Sequence, residues 1–280
     1  MFNPNNWFHA FFIIPILNLL MVFYVVLTNL SIPFALGFSL ILLTVAIRLI
    51  LHPLTANQLK STQKLGKLKP ELDRISKLYK DDKTRLHQEQ LKLYQQAGIN
   101  PAAGCLPLIL QMPILIALYN LFFQLLSNGN AVNVVNDINK AVYFPFLKIK
   151  SLDLAFFGLN LASKPSDWQS KGFFLLLIPV ITGLLQYWQT KMMSPVQNPN
   201  PKIKEIKKDE SDQGKKEGGE DMAQAMQKQM GVMMPLMIGF FAYSFPLGLS
   251  LYWNTFTAFG IIQQYKITQT ENKNEEKSKK

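Results

Sequence analysis

Residues 31–53 read SIPFALGFSLILLTVAIRLILHP, an apolar run in which Arg48 is the only charged side chain. A helix needs about 20 apolar residues to cross a bilayer, so the run is long enough. A cation within such a helix is unfavourable by roughly 2.5–3.5 kcal/mol on insertion scales. Arg48 therefore calls for compensation: water, a partner, or a route to the interface. With Pro53 at the inner end, Arg48 lies five residues in, about 7.5 Å deep at the helical rise of about 1.5 Å per residue.

Further apolar stretches follow, separated by polar, charged segments. The chain has 280 residues and is 49% hydrophobic, with the apolar residues in continuous runs rather than in alternation. Such runs specify a polytopic helical membrane protein and exclude a closed barrel, whose strands alternate. One cysteine, Cys105, allows no internal disulfide, and three scattered histidines do not form a metal set.

The net charge of +11 is informative through its placement. Lys and Arg number ten in 54–103, five in 127–171, eight in 191–230 and five from 266 onward, with none in 231–265. Positive loops stay on the cytoplasmic side. Segments 54–103 and 191–230 and the tail are thus expected inside, and 127–171 outside.

Residues 1–30 are expected to form an apolar helix. No basic segment precedes 10–29 and no clear cleavage site follows, so a signal peptide is not expected. Two readings stay open, a spanning helix or one lying at the outer interface, and the interfacial one is adopted. Span 1 is 31–53. In 54–103, Leu65, Leu68, Leu72, Ile75 and Leu78 recur at helical spacing. A turn at Lys80-Asp81-Asp82-Lys83 leads into a second helix, giving a cytoplasmic helical hairpin interrupted by Pro70. Span 2 is 104–126, followed by an extracytoplasmic loop at 127–171 and span 3 at 172–190. Segment 191–229 is charged and expected to be partly disordered. The apolar run 230–266 is too long for one crossing, and Phe245-Pro246-Leu247-Gly248 divides it into span 4 (230–245) and span 5 (247–266), with a cytoplasmic tail at 267–280.

Arg48 has two readings. It snorkels to the inner headgroups, or it faces a hydrated cavity. Polar groups in other spans favour the cavity: Thr44 one turn earlier, Gln111, Gln186, Trp253 and Asn254. Each alone serves equally as helix-packing glue. A second candidate feature is the methionine set (Met192, Met193, Met222, Met226, Met230, Met233, Met234, Met237), suited to variable apolar partners or to ordinary membrane packing. Nucleotide-loop, zinc-protease and serine-hydrolase motifs are absent from the sequence, so no enzyme activity and no cofactor are expected. Acidic residues are missing from every span, which disfavours a proton-coupled transporter. A channel would need a polar path across the whole membrane, and the outer halves of the spans hold few ionisable groups; a scaffold without insertion activity stays open.

Three strings carry a family likeness. LTVAIRLILHPLTANQLKSTQKLGKLKPEL (43–72), NPAAGCLPLILQMPILIALYNLF (100–122) and MMPLMIGFFAYSFPLGLSLYWNTFTAFGIIQQY (233–265) resemble the core of YidC-type membrane protein insertases. The likeness extends over roughly 8–126 and 172–266. It implies an all-α fold: a five-span insertase core with an N-terminal interfacial helix and a cytoplasmic hairpin. It further implies a groove open to the cytoplasm and to lipid but closed outside, with Arg48 as the groove arginine, Thr44 and Gln111 lining it, and Trp253 at a substrate contact. Implied partners are nascent membrane proteins, transiently the ribosome, and membrane lipids; cooperation with the Sec translocon is left open. A large periplasmic domain and a lipoprotein cysteine, found in some members of that family, are not expected here. The short tail argues against strong ribosome anchoring.

Overall fold

The computed structural model describes residues 5–98, 106–127, 131–193 and 219–278. Expectations for Asn100-Pro101, Cys105 and most of segment 191–229 lie outside the described residues, as do the side chains of Leu65, Met193, Met222, Met226 and Met230.

A π turn, His9–Ile13, runs into α1 (Ile14–Asn29). Then comes α2 (Ala35–Ile50), which stops short of the Pro53 boundary read from the sequence. The chain bends there by 64° into α3 (His52–Lys67). Proline cannot donate to the helix ladder and disfavours helical geometry in the residue before it, so Pro53 sits in the first turn of a new helix. Pro70 does the same for α4 (Lys69–Leu78). The Asp82 carboxylate caps α5 (Lys83–Gln96) by accepting the Arg85 amide at 2.9 Å. Gln90 Nε2 donates to Ser76 Oγ across α4 and α5 at 3.4 Å. The apolar stripe expected on one helix is thus shared between two, and Leu78 at its end is 70% exposed.

The remaining helices are α6 (Leu106–Ser127), α7 (Ala131–Ala141), α8 (Trp168–Lys171), α9 (Leu177–Met193), α10 (Gly219–Ser244) and α11 (Leu247–Ser278). Between α7 and α8 lies a minimal antiparallel hairpin, β1 (Ala155–Phe156) with β2 (Leu159–Asn160). The break between α10 and α11 falls at Phe245-Pro246. The first amides of α11 lack helical partners; those of Leu247 and Gly248 donate to the carbonyls of Ser163 and Leu161, both at 2.8 Å. By length and composition, His9–Asn29 and Phe173–Met192 suffice to cross a membrane, and the bent α2–α3 pair does so if counted as one. Gln111–Phe123 and Val232–Ser244 are shorter apolar helices.

The apolar core gathers at the Phe34 end of α2. Leu17, Leu20 and Met21 of α1, Leu36, Leu40 and Leu43 of α2, and Leu118 and Phe122 of α6 are buried there with Ile138, Leu147 and Leu161 of the long connection. That connection, read from the sequence as a polar loop, is stitched along α1. Asn18 Nδ2 donates to the carbonyl of Ala141 at 3.2 Å, its Oδ1 accepts the Tyr143 amide at 2.7 Å, and the Tyr24 hydroxyl donates to the carbonyl of Ser151 at 3.2 Å. Further on, the Lys171 ammonium, hydrogen-bonded at 2.9 Å, holds the Asp167 carboxyl below the usual carboxylate range. Asn18→Ala strands the Tyr143 amide. The bond is part-buried, and a typical net hydrogen bond is worth about 0.5–1.5 kcal/mol, so a modestly lowered thermal midpoint in detergent is expected.

Candidate functional site

Past Leu43 the buried side chains of α2 change character. Thr44 and Arg48 follow at one-turn spacing, 1% and 6% exposed. The Thr44 hydroxyl is spent on its own helix, donating to the carbonyl of Leu40 at 2.6 Å. Arg48 is met by α11. Its Nη2 donates to the carbonyl of Phe256 at 2.7 Å, and the guanidinium lies over the Phe256 ring, 3.5 Å from the centroid. Arginine suits this position because its planar, weakly hydrated head both stacks and donates. Neither partner carries charge.

Glycine at 260 is what lets the guanidinium fit. A Cβ there would lie 2.6 Å from Arg48 Nη2 and 2.4 Å from Gln189 Nε2. Gly260→Val is therefore expected to push the guanidinium off Phe256 while leaving every charge in place. Because the charge stays, an activity that depends on the Arg48 charge should be largely retained, as for Arg48→Lys, and should fall far less than with Arg48→Ala.

The other sequence-derived residues divide between two clusters. Gln111 on α6 donates from Nε2 to the Tyr252 hydroxyl at 2.5 Å, and the Tyr252 ring stacks on Phe256 at 6.1 Å. Gln111, Tyr252, Phe256 and Arg48 thus form one continuous column. On the neighbouring face of α11, Trp253 Nε1 donates to Gln186 Oε1 of α9 at 3.2 Å, and the Thr190 hydroxyl donates to the Gln186 carbonyl at 2.8 Å. Asn254 Oδ1 is buried without a hydrogen bond.

Several residues of this region escape the sequence reading. Tyr252 and Phe256 look like ordinary apolar filling. Ser250 and Thr257 lie four before and three after Asn254, on one helical face, and are 3% and 1% exposed; that periodicity was available as a signal. Gln263 and Gln264 continue the polar burial, each 4% exposed. Gln263 Nε2 donates to the Thr55 hydroxyl at 2.7 Å, tying α11 to α3 just beyond the bend. Arg48 Nε, Ser250 Oγ, Thr257 Oγ1 and Gln263 Oε1 are buried with no hydrogen bond. Of the methionine set, Met233 and Met237 are 55% and 45% exposed beside Leu236 and Phe240, on the outward surface of α10.

Among the described residues no group of His, Cys, Asp and Glu could hold a metal ion. What the interior can do is solvate. Among the described residues it offers one buried cation with most of the buried uncharged donors and acceptors toward the Arg48 end, against a mainly apolar opposite end whose Asn18 and Ser39 are bonded to backbone.

Fold and site together define a helical integral membrane protein with a lone cation buried among neutral polar groups. The chain belongs to the 60Kd inner membrane protein family, whose model matches residues 26–275. It is similar to the membrane protein insertase YidC of Rickettsia conorii, 31% identical over 240 residues, covering 83% of this chain and 35% of the relative. That of Rickettsia prowazekii is 30% identical over the same length. The chain thus spans about a third of the length of these curated relatives. Among solved structures, an active YidC insertase with its first transmembrane domain resolved matches with a TM-score of 0.51 at 27% identity, covering 93% of this chain and 47% of that one.

Proposed function

We propose that the protein is a membrane protein insertase that receives polar segments of nascent membrane proteins in a hydratable cleft around Arg48 and releases their apolar segments to lipid. The division of the interior carries this reading: mainly apolar packing at the Phe34 end, where Asn18 and Ser39 are satisfied by backbone, and buried polar atoms without partners toward the Arg48 end. Buried polar atoms that lack protein partners are costly unless water reaches them. An incoming polar segment would meet those same groups, which shortens the hydrocarbon distance over which its backbone goes unsatisfied.

In this reading α2, α6, α9, α10 and α11 are the five spans, with the Arg48 end at the cytoplasm because the 54–103 segment beyond it carries ten basic residues. The connection 131–171 then lies outside, and both the 191–229 segment and the tail inside. α1 lies in the outer interface; what supports this is that Asn18, one turn into the helix, and Tyr24, farther along it, are both bonded to that polar connection. The α4–α5 pair offers incoming chains a cytoplasmic docking surface. Thr44, Gln111, Gln186, Trp253 and Asn254 line or stiffen the cleft around Arg48. The partners are nascent membrane proteins, transiently the ribosome, and lipids, with the Sec translocon as an optional collaborator. Transfer of the client's apolar surface into lipid, worth about 25 cal/mol per Å², supplies the driving force, so no cofactor enters.

The test is reconstitution. Purified protein in liposomes, given a two-span substrate made by ribosomes in vitro, should protect the translocated segment from added protease. Protection no greater than in empty liposomes would reject the activity.

A further inference from the structure

Among the described residues, three other than glycine adopt a left-handed backbone: Ser31 (φ 55°), Phe34 (φ 58°) and Phe157 (φ 47°). The last two are aromatic, belong to different elements, and touch. Their ring centroids are 4.9 Å apart. Phe34 begins α2, and Phe157 is the tip of the β1–β2 hairpin.

The hairpin pairs Ala155 with Asn160 and Phe156 with Leu159, leaving Phe157-Gly158 as a two-residue turn. Both turn residues have positive φ, 47° and 81°. This mirror-image turn ordinarily takes Asn, Asp or Gly first, and a bulky ring there is a conformational outlier. Outliers of this kind cluster where function holds them. Phe156 behaves as an ordinary packing residue, half-buried with its ring 5.6 Å from that of Phe38. Phe157 does not: its ring reaches Phe34 and, at 6.2 Å, Phe38, yet it remains 68% exposed.

Phe38 lies one turn inside α2. Partly buried against the core, it borders a stripe formed by Leu42 and Leu49, 39% and 57% exposed, on the face that α2 turns away from the rest of the protein. The hairpin tip is thus continuous with the apolar surface that α2 presents to hydrocarbon. The segment leading to the hairpin has the pattern of an interface. Phe144 and Phe146 stack at 5.5 Å and are exposed, and Lys148 and Lys150, also exposed, follow within four residues. Tyr143 beside them is 56% exposed; an amphipathic ring of this kind settles at the headgroup level, and lysines near it reach the headgroups.

We propose that the β1–β2 hairpin is a membrane finger, with Phe157 seated in the phospholipid leaflet at the Phe34 end of α2. The occupant of this surface is lipid. The left-handed turn turns the ring toward the bilayer and holds the 131–171 connection down on the membrane. This does not depend on insertion activity; it requires only that α2 cross the membrane.

In a Cys105→Ser background, Phe157→Cys and, as a control on the same connection, Asp153→Cys would carry an environment-sensitive fluorophore in liposomes. The label at 157 should lose most of its emission to lipids bearing a nitroxide near the headgroup. It should also be shielded several-fold from aqueous iodide relative to 153. Equal iodide quenching at both positions overturns the proposal. So does shielding without quenching by the nitroxide lipid, since a protein surface would then cover the ring. Phe157→Trp keeps an aromatic ring if the cysteine variant does not fold. Its added emission should be quenched by brominated lipid, and no added quenching over the parent protein would equally overturn the assignment.

Discussion

Arg48→Glu should reduce insertion of a substrate with an acidic translocated segment at least about tenfold, since attraction becomes repulsion. Unit charges about 4 Å apart interact by about 4 kcal/mol at an effective dielectric near 20, and each 1.4 kcal/mol is a factor of ten. Arg48→Ala should weaken the same substrate substantially and spare one whose translocated segment is neutral. Arg48→Lys keeps the charge and should retain most activity, losing only the planar stack on Phe256. Stability should move differently. Arg48→Ala removes a desolvated cation but opens a cavity beside Phe256, whereas Arg48→Met removes the charge and keeps the volume, a change often neutral or stabilising. Insertion and thermal midpoint measured on the same preparations separate the two effects. Wild-type insertion by Arg48→Ala on the acidic substrate would remove charge pairing from the mechanism, without touching the activity itself.

The second large effect concerns α9 and α10. Both contain Pro-x-x-x-Gly, Pro179 to Gly183 and Pro235 to Gly239. A Cβ at Gly239 would stand 3.4 Å from the Pro179 carbonyl and 3.7 Å from Gly183 Cα, while one at Gly183 would stand 3.6 Å from the Pro235 carbonyl. Each glycine meets the other helix's proline carbonyl, so the backbones themselves are in contact, as small residues permit in membranes. Gly239→Ala fits at these distances. Gly239→Leu does not, because backbone cannot rotate aside as a side chain can. Overpacking costs about 1–3 kcal/mol, and the upper end is expected here, seen as a lowered unfolding midpoint. An unchanged midpoint for Gly239→Leu would show that the helices separate freely.

Apolar length alone makes the helices legible from sequence, because no other backbone form buries its polar groups within one segment. The bend at Leu51 is less so: Pro53 is visible, but read as the end of a span it hides a 64° turn into α3. β1 and β2 are two residues each, too short for alternation to register. Within the site, Arg48 and Gln111 announce themselves as polar residues in apolar runs. Their partners do not. Tyr252 is separated from Gln111 by 141 positions and Phe256 from Arg48 by 208, and no local pattern encodes such meetings. Ser250 and Thr257 are an intermediate case: their spacing about Asn254 is plain, but hydroxyls in an apolar helix pass for ordinary ones.

The carbonyl that holds Arg48 gives the resting cation an exchangeable seat. A built-in carboxylate would lock the guanidinium, and a visiting acidic segment would have to break an ion pair to engage it. Phe256 offers only a neutral dipole that already serves its own helix, so under the proposed function a client's carboxylate would displace it on arrival and surrender the place on departure. An interaction of that kind would favour turnover over retention.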